Sequence, residues 1–381
     1  MYDKTGGTAY LCAGRNPIPM PNVVISTDII RCLGEAIADI DHDRLFVLCD
    51  TTTRRLCLPL VTPLRDVAEA SCIVIPPADA HKSLETLCQV WTALQQGGAT
   101  RHSLLVNVGG GMVTDLGGFA ASTFKRGIPY INVPTTLLAM VDASVGGKTG
   151  INYGGLKNEI GVFNDPRVVL IDTAFLATLD HDGICSGYAE MIKHGLISHA
   201  DHLRELLAWP LDDVTPEALQ TLSNLVRTSV AVKERIVTED PLEHGLRKAL
   251  NLGHTVGHAF ESLALSGTCL PPAGRSAEGG MLHGYAVAYG LVCELYLACV
   301  KTGFPTSVMR SVVQFIREHY GHLPITCNDY PTLIDLMRHD KKNTAGTINF
   351  TLLAGVGDLR INQTATVEEI HEMLDFYREG S

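Results

Sequence analysis

Short apolar runs alternate with longer mixed segments through the first half of the chain. The runs have the length of β-strands, and most are separated by segments long enough for a crossover helix. Continuous apolar runs are typical of parallel strands buried on both faces. This pattern predicts a parallel sheet covered by helices, with strands at residues 45–49, 72–75, 104–108, 130–133 and 168–171.

The pattern changes near residue 177, where strand-like runs thin out and helical spacing takes over. Thr366 and Glu369 form a capping-box pattern that predicts the start of a final helix. The apolar residues at helical spacing include Leu219, Leu222, Leu225, Val226 and Val230 in one stretch, and Val367, Ile370, Met373 and Leu374 at the end. The sequence therefore predicts an α/β domain over residues 1–176 and a mostly helical domain over 177–381.

The charge balance narrows the classes of ligand. The chain has 30 Lys and Arg against 41 Asp and Glu, which gives a formal net charge of −11. An acidic chain without a basic block is a poor candidate for nucleic-acid binding, because phosphate contacts dominate that affinity. A small anionic molecule remains compatible, since a few local cations can shape the field of a cleft.

Cysteine use and the chain start favour the cytoplasm. The 11 cysteines are odd in number, and they lie scattered without a C-x-x-C pair, as reduced thiols do. The first residues lack the basic and apolar regions of a signal peptide. The longest apolar run, 286–300, is interrupted by Glu294 and is too short for a membrane span. We expect a cytoplasmic protein that binds no membrane.

A glycine triplet, 109–111, directly follows the strand predicted at 104–108, and Asp115 lies just beyond it. Glycines at a strand-to-helix turn let backbone N–H groups approach a pyrophosphate at the helix N-terminus. The triplet is not a G-x-G-x-x-G fingerprint, so a plain tight turn explains it equally well. Asp50 ends an earlier strand, where an acidic residue can bind a ribose hydroxyl.

The segment 125–158 carries cations and polar groups among glycines, in a pattern that a simple loop does not need. The string GGKT at 146–149 resembles the end of a P-loop, but the position of the motif's first glycine is not occupied by glycine. A glycine-rich loop suited to a phosphate or carboxylate is the remaining functional interpretation. A solvated loop with scattered lysines is the alternative.

His254 and His258 stand four residues apart and would share one face of a helix. Both could bind a divalent metal if a carboxylate or a third histidine joined them. Glu190, with Lys193 one helical turn on, and His283 are the natural suppliers. With 15 histidines in the chain, such a pair can also arise by chance.

Taken together, these motifs resemble the 3-dehydroquinate synthase family. The matching strings run in order along most of the chain: GGGMVTD at 109–115, RG at 126–127, VPTTLLA at 133–139, DASVGGKTG at 142–150, LKN at 156–158, SGYAE at 186–190, NLGHTVGH at 251–258, HGYAV at 283–287 and DKKN at 340–343.

The resemblance implies a Rossmann-like NAD-binding domain, a helical domain that binds metal and substrate, and an active site in the cleft between them. It implies a divalent metal, usually Zn²⁺ with Co²⁺ as an alternative, and a homodimer. The implied reaction converts the sugar phosphate 3-deoxy-D-arabino-heptulosonate 7-phosphate to 3-dehydroquinate and phosphate, while NAD is reduced and reoxidised in each turnover.

The resemblance also implies residue roles. The metal ligands correspond to Glu190, His254 and His283, so that His258 becomes a polar or base residue near the phosphate. The implied catalytic residues are Lys148, Asp142, His258, Asn158 and Lys193. The implied substrate-binding residues are Arg126, Lys148, Asn158, Lys193, Lys233, Arg247, Asn251, His258, Lys341 and Lys342. The implied NAD-binding residues are Asp50, Asp79, Lys82, Gly110, Gly111, Asp115, Thr135, Thr136, Asp142, Lys157, Thr178 and Leu179.

Two local departures from the family pattern affect the NAD residues. Asp79 is shorter than the usual glutamate, and Gly183 stands where the family commonly has a glutamate. Three rival functions remain: another sugar phosphate cyclase, a metal-dependent polyol dehydrogenase that would produce net NADH, and a pseudoenzyme. The residues that match the family's substrate-carboxylate positions, Arg247, Asn251 and the Lys341–Lys342 pair, favour the synthase over the first rival.

Overall fold

A six-stranded parallel sheet forms the first half of the protein, and the computed structural model describes residues 22–211, 215–267, 269–275, 280–339 and 347–380. The sheet order is β1-β8-β5-β4-β2-β3, and the ten described strands fall in this sheet and two antiparallel pairs, β6–β7 and β9–β10. The strands are β1 Asn22–Ser26, β2 Leu45–Asp50, β3 Ser71–Ile75, β4 Leu104–Gly109, β5 Tyr130–Pro134, β6 Lys148–Tyr153, β7 Leu156–Phe163, β8 Val168–Asp172, β9 Asn349–Gly355 and β10 Asp358–Thr364.

All five strands predicted from apolar runs are present, and the central ones are buried along their length, as a sheet covered on both faces requires. The sequence missed β1 and the β6–β7 pair. The segment predicted as a glycine-rich loop is therefore partly a hairpin, which carries Lys148, Lys157 and Asn158 on its strands.

The second half is mostly helical, as predicted, with β9 and β10 as an added hairpin. The predicted capping box at Thr366 is present, because its hydroxyl accepts from the Glu369 N–H. The helices are α1 Ile29–Ala38, α2 Thr51–Leu56, α3 Arg65–Glu69, α4 Leu84–Gln96, α5 Gly111–Thr123, α6 His181–Ser198, α7 Ala200–Ala208, α8 Pro216–Glu239, α9 His254–Leu265, α10 His283–Thr302, α11 Thr306–Tyr320, α12 Tyr330–Arg338 and α13 Val367–Glu379.

Helix α10 lies at the centre of the helical half and packs against α6, α9, α11 and α13. Two glycines let it approach its neighbours closely. A Cβ on Gly284 would lie 1.8 Å from the Ser186 carbonyl oxygen of α6, and one on Gly290 would lie 1.9 Å from the Gly253 carbonyl oxygen before α9. Larger side chains there would force the three helices apart.

In the described part of the chain, α10 alone is long and apolar enough to span a membrane by length and composition. Of its apolar window, 78% is buried inside the protein, and core helices of folded domains meet the same criterion.

His202 on α7 provides a test of the helical core. Burial lowers the pKa of His202 to about 4, with a smaller contribution from His199, and its Nε2 lies 3.0 Å from the Ser229 hydroxyl of α8. The unfolded chain, with an ordinary pKa of 6.5, binds a proton that the folded chain does not. The free energy of unfolding should therefore fall as the pH drops from 6.5 towards 4, by about 1.4 kcal/mol per pH unit from this residue. Urea unfolding at several pH values should show that the free energy of unfolding of His202→Asn depends less on pH than that of the wild type. The same pH dependence in both proteins would contradict a lowered pKa of His202.

Candidate active site

The N-terminal ends of two helices and the middle of a third bring Glu190, His254 and His283 together. Glu190 lies on α6, while His254 and His283 are the first residues of α9 and α10. One ligand atom from each lies within 4.8 Å of the other two. The Nε2 atoms of both histidines lie 3.5 Å from Oε1 of Glu190. The close helix packing at Gly284 and Gly290 therefore assembles a cluster from residues about 30 to 90 positions apart.

The two imidazoles direct Nε2 towards this cluster. The Nδ1 of His254 lies 3.1 Å from the Leu252 carbonyl oxygen, which can only accept, so the proton of the neutral ring sits on Nδ1 and leaves Nε2 as a ligand. The Nδ1 of His283 faces Oε2 of Glu261 at 3.7 Å. Ligand histidines commonly hold their second nitrogen in this way.

Glu190 is fully buried, and neither of its oxygens accepts a well-directed hydrogen bond within the described ranges. The Lys193 ammonium forms an ion pair with Oε2 of Glu190, whereas Oε1 faces the Nε2 atoms of both histidines, so a cation held among these three donor atoms would satisfy the buried oxygen. Two imidazole nitrogens and one carboxylate oxygen are the donor set of catalytic zinc sites, in which a further position stays open for water or substrate. The residues therefore fit a divalent metal.

At this cluster, burial and neighbouring charges shift the pKa values of the side chains in opposite directions. Burial raises the pKa of Glu190, but the adjacent Lys193 ammonium and His283 outweigh it and hold that pKa well below its usual range. Burial lowers the pKa of His283, but the carboxylates of Glu190 and Glu261 outweigh it and raise the pKa to about 10 in the metal-free protein. Metal binding must displace that proton, so the affinity for metal should rise with pH.

His258 does not join this ligand group. Its ring centroid lies 5.4 Å from that of His254 and 6.0 Å from that of His283. A second group of three potential ligands, Asp142, Glu190 and His194, shares the glutamate. The Lys233 ammonium is bonded to Asp142 there, and this positive charge would oppose a second dication.

Buried cations lie beside the metal cluster. Lys193 is 1% exposed and Lys233 is 6% exposed, and Lys233 donates to Oδ1 of Asp142 at 2.5 Å. Asp142 lies on a π-helical turn, Ala139–Ala143. Burial raises the pKa of Asp142, but Lys233 outweighs it and keeps the acid ionised. Such a concentration of ammonium groups suits an anionic ligand.

Arg247 is buried, and its Nε donor is unused among the described residues. Its guanidinium donates to the carbonyl oxygens of Pro241 at 2.7 Å and Gly146 at 3.2 Å. Its Nε is buried and makes no hydrogen bond to the residues described. The side chain is thus fixed by neutral carbonyls and keeps positive charge for an incoming anion.

Sequence reasoning missed Glu243. Its two carboxylate oxygens accept from Lys148 Nζ at 2.6 Å and from Asn251 Nδ2 at 3.0 Å, and both donors are predicted substrate ligands. Its backbone is left-handed, with φ of 62°. The residue lies in the connection between α8 and α9, where no periodicity marks it. Burial raises the pKa of Glu243, but Lys148 and Asn251 outweigh that effect and lower it.

Most of the residues predicted to bind NAD lie beyond the carboxyl ends of five parallel strands. Strand β3, which follows β2 in the chain, pairs with one side of β2, and β4 pairs with its other side. The strand order therefore reverses between β2 and β4, and dinucleotides bind at such a switch point. In strand order, these residues are Asp50 at the end of β2, Asp79 and Lys82 after β3, Gly110, Gly111 and Asp115 after β4, Thr135 and Thr136 after β5, and Thr178 and Leu179 after β8.

Polar contacts join this edge to the hairpin. Lys82 Nζ donates to Asp115 and, at 2.5 Å, to Oδ1 of Asn158 on β7. Lys157 donates to Oε1 of Glu261 at 2.7 Å and lies 3.4 Å from Asp79. Glu261 thus contacts both a predicted NAD residue and a predicted metal ligand, and sequence reasoning had assigned it no role.

Arg126 lies apart from the other residues predicted to bind the substrate. It follows α5 and precedes β5, at the amino edge of the sheet, where it is exposed and lines a surface pocket with Thr100, Arg101 and Lys125. The structure thus places Arg126 at the sheet edge opposite the residues predicted to bind NAD, and its contact with the substrate stays a prediction. Lys341 and Lys342 lie outside the described residues.

A parallel sheet with a dinucleotide-type edge, next to a Glu-His-His centre lined by cations, defines a class of protein. A solved 2-epi-5-epi-valiolone synthase from Streptomyces hygroscopicus subsp. jinggangensis, with NAD⁺ and Zn²⁺ bound, is similar with a TM-score of 0.80 and 28% identity. The match covers 95% of this chain and 97% of that one. The fold is that of the sugar phosphate cyclases.

Within that class, comparison with protein families identifies one particular family. The N-terminal model of 3-dehydroquinate synthase matches residues 72–186, and the C-terminal model matches residues 187–343. A 3-dehydroquinate synthase from Parabacteroides distasonis is 53% identical over 358 residues, 94% of this chain and 98% of the relative. One from Pyrococcus furiosus is 36% identical over 345 residues, 91% of this chain and 94% of the relative. The chain belongs to the 3-dehydroquinate synthase family, which confirms the resemblance found in the sequence.

Proposed function

We propose that the chain converts 3-deoxy-D-arabino-heptulosonate 7-phosphate to 3-dehydroquinate and phosphate, a step of the shikimate pathway that leads to chorismate and the aromatic amino acids. The reaction is a carbon–oxygen lyase reaction on a phosphate ester. The observation that carries the proposal is the Glu190–His254–His283 cluster, which lies beside the buried ammonium groups of Lys193 and Lys233. Family membership supports the same activity.

The proposed reaction needs no net oxidant. The C5 hydroxyl is oxidised, which acidifies the C6 hydrogen; the C7–oxygen bond then breaks as phosphate leaves; C5 is reduced again; and ring opening precedes an intramolecular aldol closure. NAD held at the carboxyl edge of the sheet would supply the hydride acceptor and donor for C5, and a divalent metal held by Glu190, His254 and His283 would supply a Lewis acid for the substrate oxygens. The residues fit both groups, and the valiolone synthase structure holds NAD⁺ and Zn²⁺.

The chain's own side chains position the substrate. Lys193, Lys233 and Arg247 supply buried positive charge for the carboxylate and phosphate of a doubly anionic sugar. Glu243 holds Lys148 and Asn251 in place, and substrate anions compete with it for both donors. His258 stands next to both ligand histidines, where its imidazole can take or give a proton near the leaving group.

The first test measures products and cofactor balance together. With NAD and Zn²⁺ present, heptulosonate phosphate should yield phosphate and 3-dehydroquinate in equal amounts without lasting NADH absorbance. Removing the metal with a chelator should abolish phosphate release, and adding Zn²⁺ or Co²⁺ should restore it.

Two outcomes of this assay would reject the proposal. Preferred turnover of sedoheptulose 7-phosphate would indicate another sugar phosphate cyclase. Net NADH formation without phosphate release would indicate a polyol dehydrogenase.

We further propose a cytoplasmic homodimer with a domain boundary after residue 176. The sheet ends with β8, and α6 begins the helical half. The hairpin β6–β7 exposes large apolar side chains, among them Tyr153, Leu156 and Phe163, each more than half exposed. A second copy of the chain would cover them. Light scattering after gel filtration should give twice the mass of one chain.

A further inference from the structure

Glu294 is a carboxylate sealed within the helical half. It lies in the middle of α10, and it is 0% exposed. Acidic side chains are almost never fully buried unless they are partnered. Nothing in the proposed reaction uses this residue directly, so its burial needs another explanation.

The carboxylate accepts backbone N–H bonds from the start of α9. Oε2 accepts from Gly253 at 2.7 Å, and Oε1 accepts from Thr255 at 3.0 Å and Val256 at 3.2 Å. Helix α9 begins at His254 after a left-handed glycine, Gly253 with φ of 80°, and no side chain of that residue can cap it. Glu294 therefore supplies the cap from a different helix, with its negative charge at the positive end of the helix dipole.

One peptide group links Glu294 to the His254 ring. The N–H of the Leu252–Gly253 peptide donates to Oε2 of Glu294, and the carbonyl oxygen of the same peptide faces Nδ1 of His254 at 3.1 Å. Because the peptide is planar, fixing its N–H also fixes the direction of its carbonyl. That carbonyl decides which nitrogen of His254 carries the proton and where Nε2 points.

We propose that Glu294 is a positioning residue for the metal centre: through the Leu252–Gly253 peptide, it holds the His254 ring with Nε2 directed towards Glu190. The inference rests on the metal site of the proposed function and extends it. A carboxylate that only stabilised the fold would contribute equally to the metal-free and metal-loaded protein. A positioning carboxylate contributes to metal affinity and to the geometry of the bound ion.

Glu294→Gln is the test, because it keeps the size of the side chain but replaces one acceptor oxygen with an NH₂ donor. The single amide oxygen satisfies more donors when it stays with the Thr255 and Val256 N–H groups, and the NH₂ group then faces the Gly253 N–H, so the peptide loses its anchor. Titration of the metal-free protein with Co²⁺, followed by its visible absorption, should show a Kd raised about 10-fold or more and a changed band shape.

Tyr289→Phe is the matched control on the same helix. It removes a buried hydrogen bond of 2.7 Å from the Tyr289 hydroxyl to the Tyr320 carbonyl oxygen, a contact that involves none of the three proposed metal ligands. It should lower the Tm of the metal-free protein while the Co²⁺ Kd and spectrum stay those of the wild type. If Glu294→Gln behaved in the same way, Glu294 would be a structural cap only and the proposal would be overturned.

Glu294→Asp keeps the test decisive if the glutamine variant fails to fold. The shorter carboxylate retains the charge but cannot reach all three amides, so weaker Co²⁺ binding is again expected and wild-type binding would overturn the proposal. The wild-type titration distinguishes an error in the metal site from an error in the role of Glu294. If the wild type bound no Co²⁺, the metal site itself would be wrong; if it bound one ion and the variants matched it, only the role of Glu294 would be wrong.

Discussion

His254→Ala should lower turnover by at least about 1,000-fold, because it removes a metal ligand. A Lewis-acid metal stabilises the transition state by several kcal/mol, and each 1.4 kcal/mol is a factor of ten in rate. The change removes one of three ligand atoms that lie within 4.8 Å of one another. Only Glu190 and His283 remain as ligands, and a site with two protein ligands binds metal weakly. Metal analysis after dialysis should give well below one ion per chain, while NAD binding by calorimetry should stay close to that of the wild type.

His258→Gln is the control for the metal assignment. His258 stands on the same face of α9, one turn on, but outside the ligand group. This variant should keep one metal ion per chain even if its turnover falls. Loss of metal from His258→Gln, with retention in His254→Ala, would reverse the assignment of the two histidines.

The sequence predicted the sheet because each central strand is a continuous apolar run whose burial on both faces demands that composition. It missed β1, a five-residue strand that pairs with β8 at the edge of the described sheet. It also missed β7, whose eight residues are all exposed and whose apolar side chains stand among charged, polar and glycine positions instead of in a continuous run. Local patterns reveal strands through their burial, so strands at the surface escape them.

The metal cluster shows a second limit of local patterns. Spacing within α9 pairs His254 with His258, yet packing selects His283 from α10, because close contact of three helices decides which side chains meet. The family resemblance supplied that ligand set where periodicity could not. Glu243 had no signal of either kind, because its partner Lys148 lies on a strand remote in the chain, and Glu294 showed only as a charge that interrupts an apolar run.

Arg247→Ala should raise the KM for heptulosonate phosphate and lower kcat/KM by about 10- to 100-fold, the effect of losing about 1.5–3 kcal/mol of charged hydrogen bonding. Arg247 is 2% exposed, and its guanidinium is fixed by the Pro241 and Gly146 carbonyl oxygens. Steady-state kinetics should place the loss mainly in KM, because the proposed role of the side chain is to bind the substrate and not to take part in bond making. Arg247→Lys should recover part of it, since charge returns without the planar fork.

Lys248→Ala separates substrate binding from a general loss of charge. It removes the same unit of charge from the adjacent position, where Lys248 Nζ contacts only the Asn362 side chain among the described contacts, at 3.1 Å. Its KM should equal that of the wild type. Some loss of Tm is expected for Arg247→Ala because two carbonyl oxygens lose their donor, so kinetics must be measured well below the Tm of each variant. Unchanged KM and kcat in folded Arg247→Ala would remove the arginine from the substrate site, whereas equal effects from both variants would point to long-range charge instead of a contact.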